Sequence, residues 1–432
     1  MENLRLSGFG ITRGYYCPSF FKLVVNTTHN LGDLNKLPEV PFSTFFHEYL
    51  HFLQDITTTY GLANGCIIAD RMVFIINTIL KNGITNFSIP VDISQEEIFK
   101  QNFGLRKIYR GKNPRVSELI IKRIGKEHTN LNLPAPYNRP VEKIVIQYED
   151  KMTNSIKEFD FGGLCITESM AHIAQKTINP LTVSSHRDVP YRVAIKVATH
   201  MYPEIGKNEL FVFSLCDACL MYYHPAKIFC DVLEMMKNEK FIPANEKEIY
   251  DFVFEKIIVE GKTLLELFKS IKEHSINRFS SYLTTSTFTH EKSWIQTVLN
   301  EAFDLRFNSP DFLIKILKKR SADTPEFNQV FKKVGTPLMM NMDGLAWFNP
   351  PEKLKGNQEI SIDRYAALFE ILLLFEGQKR NCDLINYCKN AFNEDITDNF
   401  CIKSPWERCN QDYLCGYAIF WKTWGLENYK PK

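Results

Sequence analysis

His47, Glu48, Tyr49, Leu50 and His51 form an H-E-x-x-H pentad in a chain of 432 residues. On a helix, histidines at i and i+4 stand one turn apart on the same face, close enough to share one metal ion. Zinc suits two neutral imidazoles plus a carboxylate and leaves a fourth position for water. Glu48, next to the first imidazole, is then placed to take a proton from that water. By residue frequencies the pattern arises by chance in only about one such chain in 70. The apolar neighbours Phe45, Phe46, Tyr49, Leu50, Phe52, Leu53 and Ile56 imply a buried helix, and Thr44, His47, Glu48, His51, Gln54 and Asp55 form one polar stripe that would face a cleft. The competing reading is a core helix whose histidines bond main-chain oxygens and whose Glu48 meets an arginine.

The elements that must position this pentad follow from composition and punctuation. Residues 20–27 are rich in β-formers and read as a strand. Pro38 and Pro41 mark a loop, Ser43 or Thr44 can cap, residues 45–57 read as a helix that Gly61 ends, and a second helix covers 65–81. A strand followed by His47, Glu48 and His51 on a helix resembles the zincin metallopeptidases over residues 1–180. The resemblance implies a zinc hydrolase fold in which an edge strand borders the cleft and the motif helix forms its floor, without selecting a subfamily.

Zincins differ in whether their third ligand is Glu, His or Asp. Glu168 is the best candidate, because the small residues around it on an apolar helix at 163–175 allow close approach to another helix. The arrangement resembles that of the gluzincins and departs from it in the long gap after His51, which an insertion around 85–145 would fill. The alternative for Glu168 is a carboxylate interacting with a helix N-terminus. Asp70, on the second helix, is the runner-up ligand, with an ion pair as its plainer role. His172, one turn beyond Glu168, is placed to orient a ligand or steady an oxyanion, or simply to pack.

Further candidates lie outside this region. Asp217, in the apolar run 210–223, needs a partner, either the free N–H of a metal-bound histidine or a cation on another helix. His224, Tyr222 and Tyr223 could donate to a tetrahedral intermediate, and nothing selects one of them. Cys216 and Cys219 form a C-x-x-C without a second pair and read as core. Cys382, Cys388, Cys401, Cys409 and Cys415 have 5, 12, 7 and 5 residues between neighbours, which matches no standard zinc finger, so buried thiols are expected.

Composition sets the frame. Hydrophobic residues at 44% and charged residues at 24% describe a globular chain, and 33 Phe with 18 Tyr predict aromatic packing layers. With 52 basic against 50 acidic residues, the net charge of +2 supplies no global pull toward nucleic acid or membrane. The segment 100–126 is locally basic, with nine Lys or Arg and one acid, and reads as a solvated inserted loop or small subdomain. The same segment invites a nucleic-acid reading through Arg106, Lys107 and Arg110, or a role as a lid for acidic substrates. Residues 1–8 lack the pattern of a cleaved leader, and runs such as 210–223 fall short of a membrane span. Eleven scattered cysteines fit reduced thiols, so a cytoplasmic protein is expected.

Helical periods dominate the rest, at 226–236, 248–283, 293–303, 311–319 and 363–377, and 143–147 reads as a strand. The expected fold is α+β and mostly α. A zincin-like part at 1–180 is followed by a helical region at 181–300 that completes the cleft and a helical, Cys- and Trp-rich part at 301–432. The expected function is a Zn2+-dependent endopeptidase acting on one or few protein or peptide substrates, its large helical remainder arguing for restricted access or a regulatory partner. A catalytically weak zincin-like scaffold and a nucleic-acid-binding effector are the alternatives.

Overall fold

The structure, a computed structural model, describes residues 13–83, 85–94, 96–131, 140–183, 186–259, 261–356, 359–392 and 397–432. The N-terminal octapeptide and residues 132–139 of the expected insertion lie outside these.

Among the described residues three small sheets form. The first joins β1 (Gly14–Cys17), β2 (Lys22–Val25), β7 (Leu338–Met340) and β8 (Ala346–Trp347) in that order; β1 and β2 are antiparallel, β2 and β7 parallel. The second pairs β3 (Asn86–Phe87) with β9 (Lys430–Pro431). The third is an antiparallel meander of β4 (Leu119–Asn130), β5 (Pro140–Asp150) and β6 (Ser155–Phe161). The helices are α1 (Glu39–Thr57), α2 (Thr59–Asn82), α3 (Glu97–Arg110), α4 (Gly163–Ile178), α5 (Val193–Met201), α6 (Pro203–Gly206), α7 (Glu209–Leu220), α8 (Pro225–Glu239) and α9 (Glu246–Lys256). They continue with α10 (Leu264–Ser280), α11 (Thr289–Asn308), α12 (Phe312–Lys319), α13 (Pro325–Val334), α14 (Asp363–Phe375), α15 (Ile385–Ala391), α16 (Asn399–Lys403) and α17 (Gly416–Thr423). The fold is α+β and mostly α, as expected.

Several local expectations need correction, each for a stereochemical reason. Ser43 and Thr44 do not cap α1; they lie inside it and donate their hydroxyls to the Val40 carbonyl at 2.9 and 3.0 Å. Pro41 is not in a loop but in the first helical turn, where a backbone N–H has no helical acceptor to lose. Gly61 does not end α1 either. The corner is Thr58, whose hydroxyl donates to the Gln54 carbonyl at 2.6 Å and accepts from the Gly61 N–H at 3.0 Å. A Cβ on Gly61 would fall 2.3 Å from that same carbonyl oxygen, so glycine is required for the close approach of α2 to the end of α1. The basic segment 100–126 is not an irregular loop, since it supplies most of α3 and the first half of β4. The helical pattern over 248–283 splits into α9 and α10 around Gly261 at φ +71°, and Thr263 with Glu266 forms a capping box that restarts the helix.

One continuous apolar cluster of buried side chains extends from Tyr16 to Leu426. Phe21, in the turn of the N-terminal hairpin, stands edge-on to Phe52, Phe279, Trp294 and Tyr365 at 5.0–6.4 Å, which gathers α1, α10, α11 and α14 around it. Lys22 is buried beside it and pairs with Glu370 of α14 at 3.3 Å. By length and composition alone α2 is apolar enough to cross a membrane, which the apolar-run reading overlooked; half of that stretch is buried inside the molecule.

Candidate metal centre

Three elements build the site. Helix α1 presents His47, Glu48 and His51, α4 crosses it and presents Glu168, and the edge strand β1 lies along α1. Gly14 permits that last approach, because a Cβ there would meet Glu48 Cγ at 3.2 Å and Thr44 Cγ2 at 3.0 Å. Asp55 fastens the hairpin to the end of α1 by accepting from the Tyr16 hydroxyl at 2.9 Å and the Ser19 N–H at 2.6 Å. Asp55 therefore supports the site from beneath its hairpin, and with His51 and Gln54 it also lines a small cavity.

Glu168 Oε2 stands 3.6 Å from His47 Nε2 and 3.7 Å from His51 Nε2. Charge-assisted hydrogen bonds of this type run about 2.7–2.9 Å, so these contacts are too long for direct bonding. A tetrahedral ion bound at about 2.0–2.2 Å holds its N and O ligands roughly 3.3–3.5 Å apart, close to what is observed. The three ligand atoms lie within 4.8 Å of one another, the geometry of a group that could hold a metal ion. Among the described residues, His51 Nε2 and Glu168 Oε2 are buried without a hydrogen-bond partner, a costly state that a shared cation relieves.

The tautomer of His51 is set by its surroundings. Gln54 donates from Nε2 to the Thr167 carbonyl at 3.3 Å, so its Oε1 is the atom 2.7 Å from His51 Nδ1. That oxygen accepts the Nδ1 proton and leaves the Nε2 lone pair facing Glu168. Replacing Gln54 by Leu is expected to weaken metal binding by about 10–100-fold, measured by competition with a chromophoric chelator. Unchanged affinity would show that the Gln54 contact does not orient the imidazole. His47 Nδ1, by contrast, has no hydrogen-bond partner among the described residues.

Burial by itself raises a carboxyl pKa, yet with no metal bound the positive charge that His51 and His47 carry when protonated overcomes it at Glu168 and holds that group at about 2. At Glu48 burial wins and lifts the carboxyl above its ordinary value, against the pull of the same two imidazoles. The Tyr16 main-chain N–H bonds to Glu48, and one carboxylate oxygen of Glu48, Oε2, has no partner among the described residues. His47 at 7% exposure is the most accessible of the four, against 3% for Glu48 and 1% each for His51 and Glu168.

His172 lies beside the site, and two residues the sequence reading missed lie with it. Its Nδ1 meets His186 Nδ1 at 3.0 Å, and the Tyr191 ring stacks on His186 at 4.6 Å while standing 6.5 Å from His47. Burial pushes the His172 imidazole down to about 2 and that of His186 to about 4, so both rings are neutral and one donates to the other. The available signal was scarcity: the chain has ten histidines, and four of them meet here.

The remaining candidates are elsewhere. Asp217 accepts no imidazole proton; it pairs with Arg306 at 2.6 and 2.8 Å and accepts from the Tyr250 hydroxyl at 2.8 Å, so its partner is a cation on another helix. Asp70 pairs with Arg278 at 3.1 Å. His224 donates from Nε2 to the Glu142 carbonyl at 2.9 Å and, with Tyr222 and Tyr223, lines a cavity of about 860 Å³ that none of His47, Glu48, His51 and Glu168 borders. Cys216 and Cys219 are fully buried in the core. In the basic segment, Lys112 pairs with Asp160, Lys122 with Glu149 and Lys126 with Asp231, while Arg106 donates to Asn64. The three lysines are thus matched by acids, whereas the Asn64 partner of Arg106 is an uncharged amide.

The chain matches no protein-family model, and neither a curated protein nor a solved structure is significantly similar to it.

Proposed function

We propose that the protein is a zinc-dependent peptidase that hydrolyses a peptide bond in one or few protein substrates. The observation that carries this reading is the pair of imidazole nitrogens 3.6 and 3.7 Å from one buried carboxylate oxygen, with Glu48 beside them. The edge strand along the motif helix and the ligand helix crossing it also support a zincin-like arrangement. His47, His51 and Glu168 would hold the ion. When bound, zinc supplies Lewis-acid polarisation of a substrate carbonyl and lowers the pKa of water to about 7.

The chain's own residues supply the rest. Glu48, its carboxyl raised by burial, accepts the proton of the attacking water on its unpartnered oxygen and delivers it to the leaving amine. Tyr16 N–H fixes the orientation of that carboxylate. Tyr191 and the neutral His172 and His186 pair stand on the more exposed His47 side, where a donor to a developing oxyanion is needed.

The ligand set is tested by metal content. Glu168→Ala is expected to lose most of its zinc, while Asp70→Ala, which breaks only the ion pair with Arg278, keeps about one ion per chain. Equal retention by both variants, or the reverse order, would overturn the assignment.

A further inference from the structure

The cavity beside His224 takes no part in the metal centre and has the dimensions of a site in its own right. It encloses about 860 Å³, within the roughly 300–1,000 Å³ of small-molecule sites. Five elements meet around it: α2, α3, the turn from α7 into α8, the end of α9, and α10. The space exists because α3 is only partly seated. Of its 14 residues Phe99 alone is buried. Its first half is held by Phe99 and Phe103, over which the Arg71 guanidinium lies at 5.9 and 5.1 Å, and by the contact of the Phe74 and Phe99 rings at 5.8 Å. Its second half, with Arg106 and Tyr109, borders the cavity instead of filling it. Interiors pack to the density of organic crystals, so a gap of this size among five elements has the shape of a ligand site rather than of a core.

The walls offer flat carbon surface. Tyr109 and His224 lie ring to ring at 4.6 Å with 34° between their planes, and Tyr60 and Tyr222 add two phenol rings. His224 donates from Nε2 to the Glu142 carbonyl, and burial pushes its imidazole down to about 4, so this ring is neutral and serves as aromatic surface. Ile67, Ile228 and Ile271 extend the apolar wall. Tyr223 and Ile258, 36% and 68% exposed, mark where it opens to solvent.

Charge decides the sign of the occupant. Both carboxylates on the wall are already held by cations, Asp70 by Arg278 at 3.1 Å and Asp231 by Lys126 at 2.7 Å and Lys227 at 2.5 Å. A cationic ligand would have to displace those partners. Lys256 meets Glu239 at 3.0 Å, but these side chains are 37% and 46% exposed, and a surface pair of that kind contributes little and yields readily. Arg106, whose Nε–H goes to the uncharged Asn64 amide oxygen at 3.1 Å, brings a guanidinium to the same wall. With Lys227 the wall carries three cations against two acids, which favours an anion.

A chamber of about 60 Å³ adjoins this cavity, walled by the same Tyr60, Asn64 and Arg106 and also by His51 and Gln54. An apolar cavity that takes benzene measures roughly 150 Å³. No aromatic ring therefore passes through the chamber, and an occupant of the large cavity stays apart from the three metal ligands.

We propose that the large cavity is a binding site for a small aromatic anion, its ring against Tyr109, His224 and Tyr222 and its carboxylate or phosphate toward the cationic wall of Arg106 and Lys256. The site depends neither on the metal nor on the peptidase reading.

The test is isothermal titration calorimetry of the full chain with indole-3-acetate and with AMP, which carry the two sources of this chemistry. At least one should bind at one site per chain with a submillimolar Kd, and the tighter names the source. The neutral or cationic analogues, indole and tryptamine for the first and adenosine for the second, should bind about 10-fold or more weakly, because they lack the charge-assisted contact. Inorganic phosphate alone should not displace the bound probe at the same concentration. These comparisons need no substitution, so they stand even if a variant misfolds. The Arg106→Gln, Lys256→Gln double variant should weaken the bound probe by about 10-fold or more with its thermal midpoint little changed, and a chelator should leave binding as it was. Failure of both probes to bind, analogues or phosphate binding as tightly as the aromatic anion, full affinity in the double variant, or loss of binding on chelation would each overturn the proposal.

Discussion

Glu48→Gln is expected to lower kcat/KM on a cleavable peptide by about 10²–10⁴-fold while leaving metal content unchanged. That loss corresponds to roughly 3–5 kcal/mol of transition-state stabilisation. The substitution keeps the shape and the bond from the Tyr16 N–H, because the amide oxygen still accepts, and removes only the ability to take a proton. His47, His51 and Glu168 are untouched, so metal analysis of the same preparation separates loss of the base from loss of the site. Turnover retained within a few-fold would show that the proton goes elsewhere. Lost metal would instead mean that Glu48 helps to hold the ion, contrary to its place beside rather than among the three ligand atoms.

The pentad on a helix and Glu168 as its nearest carboxylate partner were both legible in the sequence, because one follows from helical spacing and the other from small residues flanking a lone acid on an apolar helix. What surrounds them was not. Gln54 read only as a member of the polar stripe, since its role depends on the Thr167 carbonyl, more than a hundred positions away and on another helix. His186 and Tyr191 carry no local pattern, and they reach the site because their segment folds back over α4. The same limit explains the sheet. Residues 20–27 announce a strand by composition, but its parallel partner at Leu338–Met340 is too distant in sequence and too short for periodicity to reveal. Boundaries failed where side-chain chemistry was ambiguous: serine and threonine favour caps in general, yet in α1 they bond back to a carbonyl one turn earlier.

Asp217→Ala is expected to destabilise the protein by about 3–5 kcal/mol, read as a lowered urea midpoint with an unchanged slope. Asp217 is fully buried and the Arg306 side chain is 3% exposed, so removing the carboxylate strands a guanidinium charge in the interior. The guanidinium also donates to the Thr57 carbonyl at 2.9 Å and to the Thr57 hydroxyl at 3.2 Å. It thereby satisfies the last turn of α1, whose free carbonyls would otherwise be buried without partners. The motif helix is thus anchored at its C-terminal end by α7 and α11, elements that contribute nothing to the metal ligands themselves. Asp217→Leu with Arg306→Met removes both charges at similar volume and should recover part of the loss. Full recovery is not expected, since Thr57 loses its donor when Arg306 is replaced. If the double variant were no more stable than Asp217→Ala, the cost would lie in the lost hydrogen bonds and packing rather than in the unpaired charge.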